Sequence, residues 1–346
     1  MSRLATAPRP AAPPISAPAD CRIASLLPGL TDVVHDLRLS PHLSATSHEC
    51  TTLHNPPSVT SPKLPVSSSL PSHEIAAGWR AVQYTHPLFS ASPSLDALLA
   101  HRVCSFYVTD IPRLAAANPT VLLTHLAKPR HFEEPDEHVL RRLLQARIPT
   151  LEKVVSVDVR TLEDVFRLHR TLAREIGREE AAVEPVAEAR GRLESIRAFV
   201  KAESQRRGLG RPKTAIVQWA DPLFLAGDWV PGIAALAGAG GDGFTNEGGP
   251  SVPISVKDLR GADVLLFAVC AVRLPECERI VHEFMRENRA ALRGWEGRVV
   301  VTDATTLFSR PSLSAVVQSA EVVAEVILKE GSYGHKGRLW REWEAE

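Results

Sequence analysis

Two clusters in this chain of 346 residues have the side-chain types to hold a ligand. The first is His48-Glu49-Cys50, which supplies an imidazole, a carboxylate and a thiol in a row. They suit metal ligation, an axial imidazole, or polar contacts. No second His or Cys stands at metal-ligand spacing, although His54 is near, so no resident metal site is expected. The second cluster is aromatic: Trp219-Ala220-Asp221-Pro222-Leu223-Phe224, then Gly227-Asp228-Trp229-Val230-Pro231. Trp219, Phe224 and Trp229 fall between a strand pattern and a helix pattern. Aromatics there suit stacking on a large flat apolar ligand, or packing of the loop itself. Asp228 also suits the cap of the helix that follows.

Three weaker features complete the inventory. Thr306-Leu307-Phe308-Ser309-Arg310-Pro311 leads into the last helix, where Pro311 suits the first turn and Phe308 and Arg310 either reach a cleft or anchor the helix. Ala237 to Gly243 is glycine-rich but follows a helix, not a strand. It lacks the setting of a dinucleotide fingerprint and reads as a flexible connection. His125, His131 and His138 are spread over a loop and a helix start, with nothing to pin them together.

These residues must be positioned by alternating elements. Cys21 to Leu27 reads as a short buried strand, turned by Pro28-Gly29, with a helix over Leu30 to Leu39. His42 to Ser47 is a weak strand ending at His48. Thr51 to Pro71 is a Pro/Ser/Thr-rich loop, with Leu64 to Val66 as an edge segment inside it. His73 to Phe89 is ambiguous. Strands follow at Val103 to Val108, Pro119 to Thr124 and Lys153 to Val157, with helices at Asp110 to Ala117 and Asp136 to Ala146. The second half repeats the pattern. It has strands at Lys213 to Trp219, Asp263 to Val269 and Arg298 to Thr302. Its helices are Pro231 to Ala237, Ser255 to Arg260, Pro275 to Leu292 and Pro311 to Lys329. Gly331 to Glu346 reads as a charged tail carrying Trp340 and Trp343.

Between the halves, Thr161 to Gly208 is a helical connector. Leu162, Val165, Phe166, Leu168, Leu172 and Ile176 share one face, and Thr161 with Asp164 is an N-cap signature. Gly177 ends or bends that helix. A second begins near Glu184, so that Pro185 falls in its first turn, and closes at Arg206, Arg207 and Gly208. The fold class is therefore α/β: two parallel-sheet lobes joined by a long backbone helix, with a ligand cleft between them. The expected boundaries are a disordered tail at 1–20, lobes at 21–160 and 209–330, connecting helices at 161–208 and the charged tail at 331–346. One stiff spacer predicts little closure on binding.

Bulk properties exclude some classes. Lys plus Arg is 40 and Asp plus Glu is 40, so net charge is zero, which argues against a nucleic-acid binder. No run of eighteen apolar residues exists, so no membrane span is expected. The five cysteines are scattered and the first nineteen residues lack an apolar core. A reduced, intracellular location follows as the expectation: cytoplasmic, or organellar if the Ala/Pro/Ser-biased start is a transit peptide.

Several of these motifs resemble the cobalamin/iron-siderophore type of periplasmic binding protein, in particular its cobalamin-binding subgroup. They are Arg22 to Pro28 with Thr31-Asp32, Ser47 to Cys50, the Thr161 to Val165 helix start, the Trp219 to Pro231 stretch, and Phe308 to Pro311. The resemblance spans about Cys21 to Leu328. The subgroup's cysteine motif after the Pro119 to Thr124 strand is replaced here by His125 to Arg130. The resemblance implies two α/β lobes on a backbone helix, with His48, Glu49, Trp219, Asp221, Phe224, Trp229, Phe308 and Arg310 at the cleft. It implies a non-enzymatic protein that binds a cobalamin-like corrinoid, needs no catalytic cofactor, and resembles the substrate-binding component of an importer. Three rivals stand beside it. One is an iron-siderophore or haem-like chelate in the same cleft. Another is a two-lobed enzyme, such as a sugar-nucleotide transferase, with Glu49 or Asp221 as base. The last is an interaction protein acting through Trp340 and Trp343.

Overall fold

The computed structural model describes residues 20–50, 55–63, 73–74, 77, 94–126, 136–240 and 244–344. The tail before Asp20, the Leu64 to Val66 segment, His54, His131, most of His73 to Phe89 and Gly241 to Gly243 lie outside the described residues.

The first lobe is built on four short parallel strands. β1 (Ile23–Ser25) leads through Pro28 into α1 (Pro28–Asp36), and β2 (Leu43–Ala45) returns beside it. β3 (Thr60–Pro62) stands apart. α2 (Leu95–Arg102), β4 (Tyr107–Thr109) and α3 (Ile111–Ala116) follow. β5 (Val121–Thr124), α4 (Glu137–Arg147) and β6 (Lys153–Ser156) complete the lobe. The main sheet has the order β2-β1-β5-β6. Its strand order reverses direction at β1/β5, which opens a crevice at their carboxyl ends.

One expected strand differs. Val103 to Val108 does not join the main sheet; the strand forms later, at Tyr107–Thr109, and pairs antiparallel with β3 as a two-stranded ribbon. Val103 and Cys104 instead point into the core beneath α2.

The connector is α5 (Leu162–Glu175) and α6 (Val183–Arg207), joined by a 3-10 turn at Glu179–Ala182. Thr161 and Asp164 form a complete capping box at the head of α5. Gly177, at φ 71°, takes the left-handed turn that ends the run. The 25 residues of α6 span about 37 Å and stop at left-handed Gly208. Val186, Ala189, Leu193, Ile196 and Val200 form its buried stripe.

The second lobe comprises β7 (Thr214–Ala220), β8 (Leu223–Leu225), α7 (Val230–Leu236), β9 (Val252–Pro253), β10 (Val264–Phe267), α8 (Leu274–Glu287), β11 (Arg298–Thr302), α9 (Leu313–Leu328) and β12 (Trp340–Glu342). The sheet runs β12-β11-β10-β7-β8-β9, with three parallel strands at its centre and antiparallel strands on both flanks. Two expectations are corrected here. The Trp219 to Pro231 stretch is not all loop, because Leu223–Leu225 folds back on β7 as a hairpin. The segment from Gly331 is not a free tail: Trp340 is fully buried and β12 extends the sheet.

Three apolar cores sit in layers. One lies on the far face of each lobe's sheet, under α2, α3 and α4 in the first and α8 in the second. The third is continuous from β1 and α1 through α5 and α6 to α7 and α9. The lobes therefore share a core through the connector, which opposes large rigid-body motion. No described helix is long and apolar enough to cross a membrane.

Candidate functional site

Strand polarity decides where the site residues meet. In the first lobe, α1 starts at the carboxyl end of β1, and Ser47 to Cys50 follows the carboxyl end of β2. In the second, Trp219 ends β7 and the 303–312 segment follows β11. Contacts between these ends turn the two edges toward each other. Arg310 Nη1 of the second lobe lies 2.8 Å from Asp32 Oδ2 on α1. Arg160, after β6, reaches Asp228 Oδ1 at 2.9 Å. The Leu162 amide donates to Glu247 Oε1 at 2.7 Å. Gly29 backs directly onto Pro311, where a Cβ would stand 2.8 Å from the proline Cδ.

On the first-lobe wall, His48 is held twice by one hydroxyl. Its backbone N–H donates to Thr60 Oγ1 at 3.0 Å, and its ring Nδ1 lies 2.8 Å from the same oxygen. Its Nε2 is buried without a hydrogen-bond partner among the described residues, 3.8 Å from Glu49 Oε1. Burial lowers the His48 pKa, against the opposing pull of the Glu49 carboxylate, so the ring is neutral at neutral pH. The half-exposed Glu49 accepts the Tyr107 hydroxyl hydrogen at 2.7 Å, and the Tyr107 ring meets His48 edge-on at 4.7 Å. Burial, reinforced by that carboxylate, pushes the Tyr107 phenol above its usual range. Behind them, Cys50 Sγ lies 3.1 Å from both Thr31 Oγ1 and Ser47 Oγ.

On the second-lobe wall, Trp219 and Phe224 are partners across the β7–β8 hairpin and share one face. The Trp219 indole N–H closes the hairpin by donating to the Asp221 carbonyl at 2.9 Å. Asp221 itself is exposed, its Oδ2 3.6 Å from His73 Nδ1. Trp229 opens α7 and packs on the shared core, with its indole N–H buried and unpaired among the described residues. Deeper in the wall, Ser251 donates to Gln218 Oε1 at 2.7 Å, and Ser309 Oγ accepts the Ala271 amide.

Two expected cleft residues are spent on structure. Phe308 is 4% exposed and belongs to the shared core. Arg310 is committed to Asp32 and to the Thr305 carbonyl. Thus the structure gathers His48 with Glu49, and Trp219 with Asp221 and Phe224. It places Trp229 at the head of α7 and uses Phe308 and Arg310 to join the lobes. Sequence reading missed Tyr107 and Thr60, which come from the ribbon β3–β4; the signal for Tyr107 was the Phe106-Tyr107 pair in a strand-like run, and Thr60 had none. Among the described residues no group of three His, Cys, Asp or Glu converges as a metal cage. A groove of about 690 Å³ lined by Arg211, Arg260, Trp295 and Lys329 lies at the opposite end of the second sheet, away from all these residues.

No protein family profile matches the sequence, and no curated protein does. Solved structures do. A periplasmic heme binding protein from Pseudomonas aeruginosa superposes with a TM-score of 0.60 at 16% identity, over 94% of this chain and 98% of its own. The periplasmic vitamin B12 binding protein of Vibrio cholerae gives 0.51 at 16%, over 89% and 96%. An ABC transporter substrate-binding protein from Listeria monocytogenes gives 0.55 at 11%, over 90% and 99%. These neighbours overturn the intracellular expectation, because proteins of this architecture include periplasmic ones. That expectation drew on residues 1–19 and unpaired cysteines, neither of which reports the fold. At such identities the likeness establishes architecture, and it agrees with the motif resemblance: this chain has the two-lobed, helix-linked fold of the periplasmic solute-binding proteins.

Proposed function

We propose that this chain is a non-enzymatic binding protein that holds a corrinoid-like metal chelate between its lobes, as the solute-binding component of an importer outside the cytoplasmic membrane. The observations that support this reading are two groups at the facing edges of the lobes. A neutral imidazole, its Nε2 without a hydrogen-bond partner among the described residues, stands on the first lobe, and the Trp219–Phe224 hairpin stands on the second. A flat macrocycle buries its faces on the aromatics, at roughly 25 cal/mol per Å² before association costs. The neutral His48 ring offers a lone pair or a proton to the chelate's centre, as its tautomer dictates.

The engagement of two junction arginines favours a neutral rim. Two guanidinium groups at the lobe junction among the described residues, Arg160 and Arg310, are engaged by Asp158, Asp228 and Asp32. That leaves neither for the carboxylates of a haem. A corrinoid rim of amides needs only neutral donors and acceptors, of which Gln218, Ser251 and Ser309 are examples. A haem-like chelate is the second reading, favoured by the heme-binding neighbour with the same fold. We assign the site to His48, Glu49, Trp219, Asp221, Phe224 and Trp229, with Tyr107 as a further member. We assign the lobes to 21–160 and 209–330 on the 161–208 connector.

Titration of the full chain with cobalamin, cobinamide and haem, followed by tryptophan quenching and heat, tests this. Corrinoid binding at micromolar strength or better, weakened at least about fivefold in Trp219→Ala, supports it. Haem binding without corrinoid binding establishes the second reading. Binding of none overturns both.

A further inference from the structure

The groove of about 690 Å³ in the second lobe lies outside the cleft, and its cations are of two kinds. It opens at the amino-terminal edge of the sheet, beside Pro212 before β7, Asp263 before β10 and Arg298 at the start of β11. Trp219 stands at the other edge, near the end of β7. The groove has the volume of a small-molecule site. Two of its arginines are spent on the fold. Arg211 Nη2 donates to the Ala235 and Ala239 carbonyls at 3.2 and 2.8 Å, at the end of α7. Arg298 Nη1 donates to the Val326 carbonyl at 2.8 Å in the last turn of α9, and its Nη2 pairs with Glu342.

Arg260 and Lys329 are not spent in this way. Both are exposed, and among the described residues neither side chain has a hydrogen-bond or ion-pair partner. The two acids of the lining, Asp263 and Glu296, form no ion pair among the described residues, and Asp263 Oδ2 accepts the Lys213 amide at 2.7 Å. The lining also holds one fixed aromatic ring. The Trp295 indole N–H donates to the Ala262 carbonyl at 2.7 Å, and the ring fills the space that a Cβ on Gly297 would need. Trp295 is half-buried, so part of its ring borders the groove.

Two solvated cations alone hold an anion weakly, because water and salt screen them. An indole already locked in place adds apolar contact and stacking with no further loss of side-chain freedom. Two unanswered cations match the charge of a phosphate monoester, about −1.5 to −2 at neutral pH, and Arg260 offers its oxygens a paired N–H fork. We propose that this groove is a second binding site, separate from the cleft, for a flat aromatic ring that carries a phosphate monoester, the chemistry of a nucleoside monophosphate. The ring packs on Trp295, and the phosphate lies toward Arg260 and Lys329. Because the two sites open at opposite edges of one sheet, occupancy here leaves the cleft free.

Binding of adenosine monophosphate to the full chain tests this, with adenosine and inorganic phosphate as the two halves of the probe. No corrinoid or haem is present, so the outcome is independent of the cleft reading. Each of the six tryptophans gives one indole N–H signal in a proton–nitrogen correlation spectrum, and single Trp→Phe variants assign those of Trp219, Trp229 and Trp295. We expect adenosine monophosphate to shift the Trp295 signal saturably, with half-saturation at or below about 1 mM, and to leave those of Trp219 and Trp229 in place. Each half alone should bind at least about tenfold more weakly. Arg260→Gln with Lys329→Gln should weaken binding at least about tenfold and leave the melting temperature unchanged, since both side chains are exposed. Should Trp295→Phe not fold, the heat of binding to wild type and to the charge variant decides. A Trp295 signal that does not move at about 10 mM adenosine monophosphate overturns the inference. So does a shift confined to Trp219 or Trp229, equal binding of either half, or undiminished binding to the charge variant.

Discussion

Tyr107 donates its hydroxyl hydrogen to Glu49 across 2.7 Å while its ring packs edge-on against His48, so one residue of the ribbon orients both neighbours in the other segment. Tyr107→Phe keeps the ring contact and removes the bond. Because Glu49 is half-exposed, the loss in fold stability should stay below about 1 kcal/mol. The freed carboxylate no longer holds one rotamer beside Nε2, so affinity for the bound chelate should fall several-fold. Thermal melts and ligand titration of the variant measure the two effects separately. A large drop in melting temperature would make Tyr107 a fold residue instead.

Two glycines give opposite expectations. At Gly29 a methyl would stand 2.8 Å from Pro311 Cδ and 3.4 Å from Arg310 Cα, within the contact between lobes. Gly29→Ala should therefore destabilise by roughly 1–3 kcal/mol, as overpacking does. Gly191 lies on the exposed side of α6 with nothing within 4 Å of a Cβ. Gly191→Ala should stabilise by about 0.5–1 kcal/mol through helix propensity. Denaturant midpoints of the two variants, measured side by side, check both signs.

What the sequence made legible was local and periodic. Thr161 and Asp164 announce the head of α5 because a capping box is written in four residues, and the α6 stripe from Val186 to Val200 is a repeat of one turn. The buried strands β5, β10 and β11 are short apolar runs with turn residues on either side. The rest depends on pairings that no local pattern records. β8 is three residues after Pro222, too short to show alternation. β4 was expected to begin at Val103 because apolar residues start there, yet only Tyr107–Thr109 finds a partner strand. Trp340 looked like a tail residue among charges, but its burial needs Glu325, fifteen positions away. Arg310 was read toward the cleft because its partner Asp32 is 278 residues distant.

The last segment is locked by a carboxylate that has no ion-pair partner among the described residues. Glu325 is fully buried and accepts the Trp340 indole N–H at 2.6 Å, the Tyr333 amide at 2.6 Å and the His335 amide at 3.3 Å. Glu325→Gln keeps the shape but turns an amide N–H₂ toward one set of donors. We expect a loss of about 3 kcal/mol, the scale of an unmade hydrogen bond to a charged group. The Trp340 emission should shift to the red as β12 loosens. Unchanged emission and stability would show that the segment is held by packing alone.

One turn before it, Glu321 gives the same segment a dependence on acid. Burial pushes the Glu321 carboxyl up, but hydrogen bonds from His335 and Arg192, with their charges, outweigh it and hold the carboxyl below the usual range. The contacts are His335 Nε2 at 2.7 Å and Arg192 Nη2 at 2.7 Å, which join the last segment, α9 and α6. A carboxyl whose folded pKa is depressed contributes stability that is fully present above its unfolded value, near 4.5. That contribution is lost as pH falls through the folded value. Glu321→Gln should therefore cost roughly 2 kcal/mol at neutral pH, the scale of hydrogen bonds to a charged group. The gap between wild type and variant should narrow as the solution is taken below about pH 4.5. Urea midpoints across that range read the gap directly. A gap that stays constant with pH would mean that Glu321 acts through packing rather than through its charge.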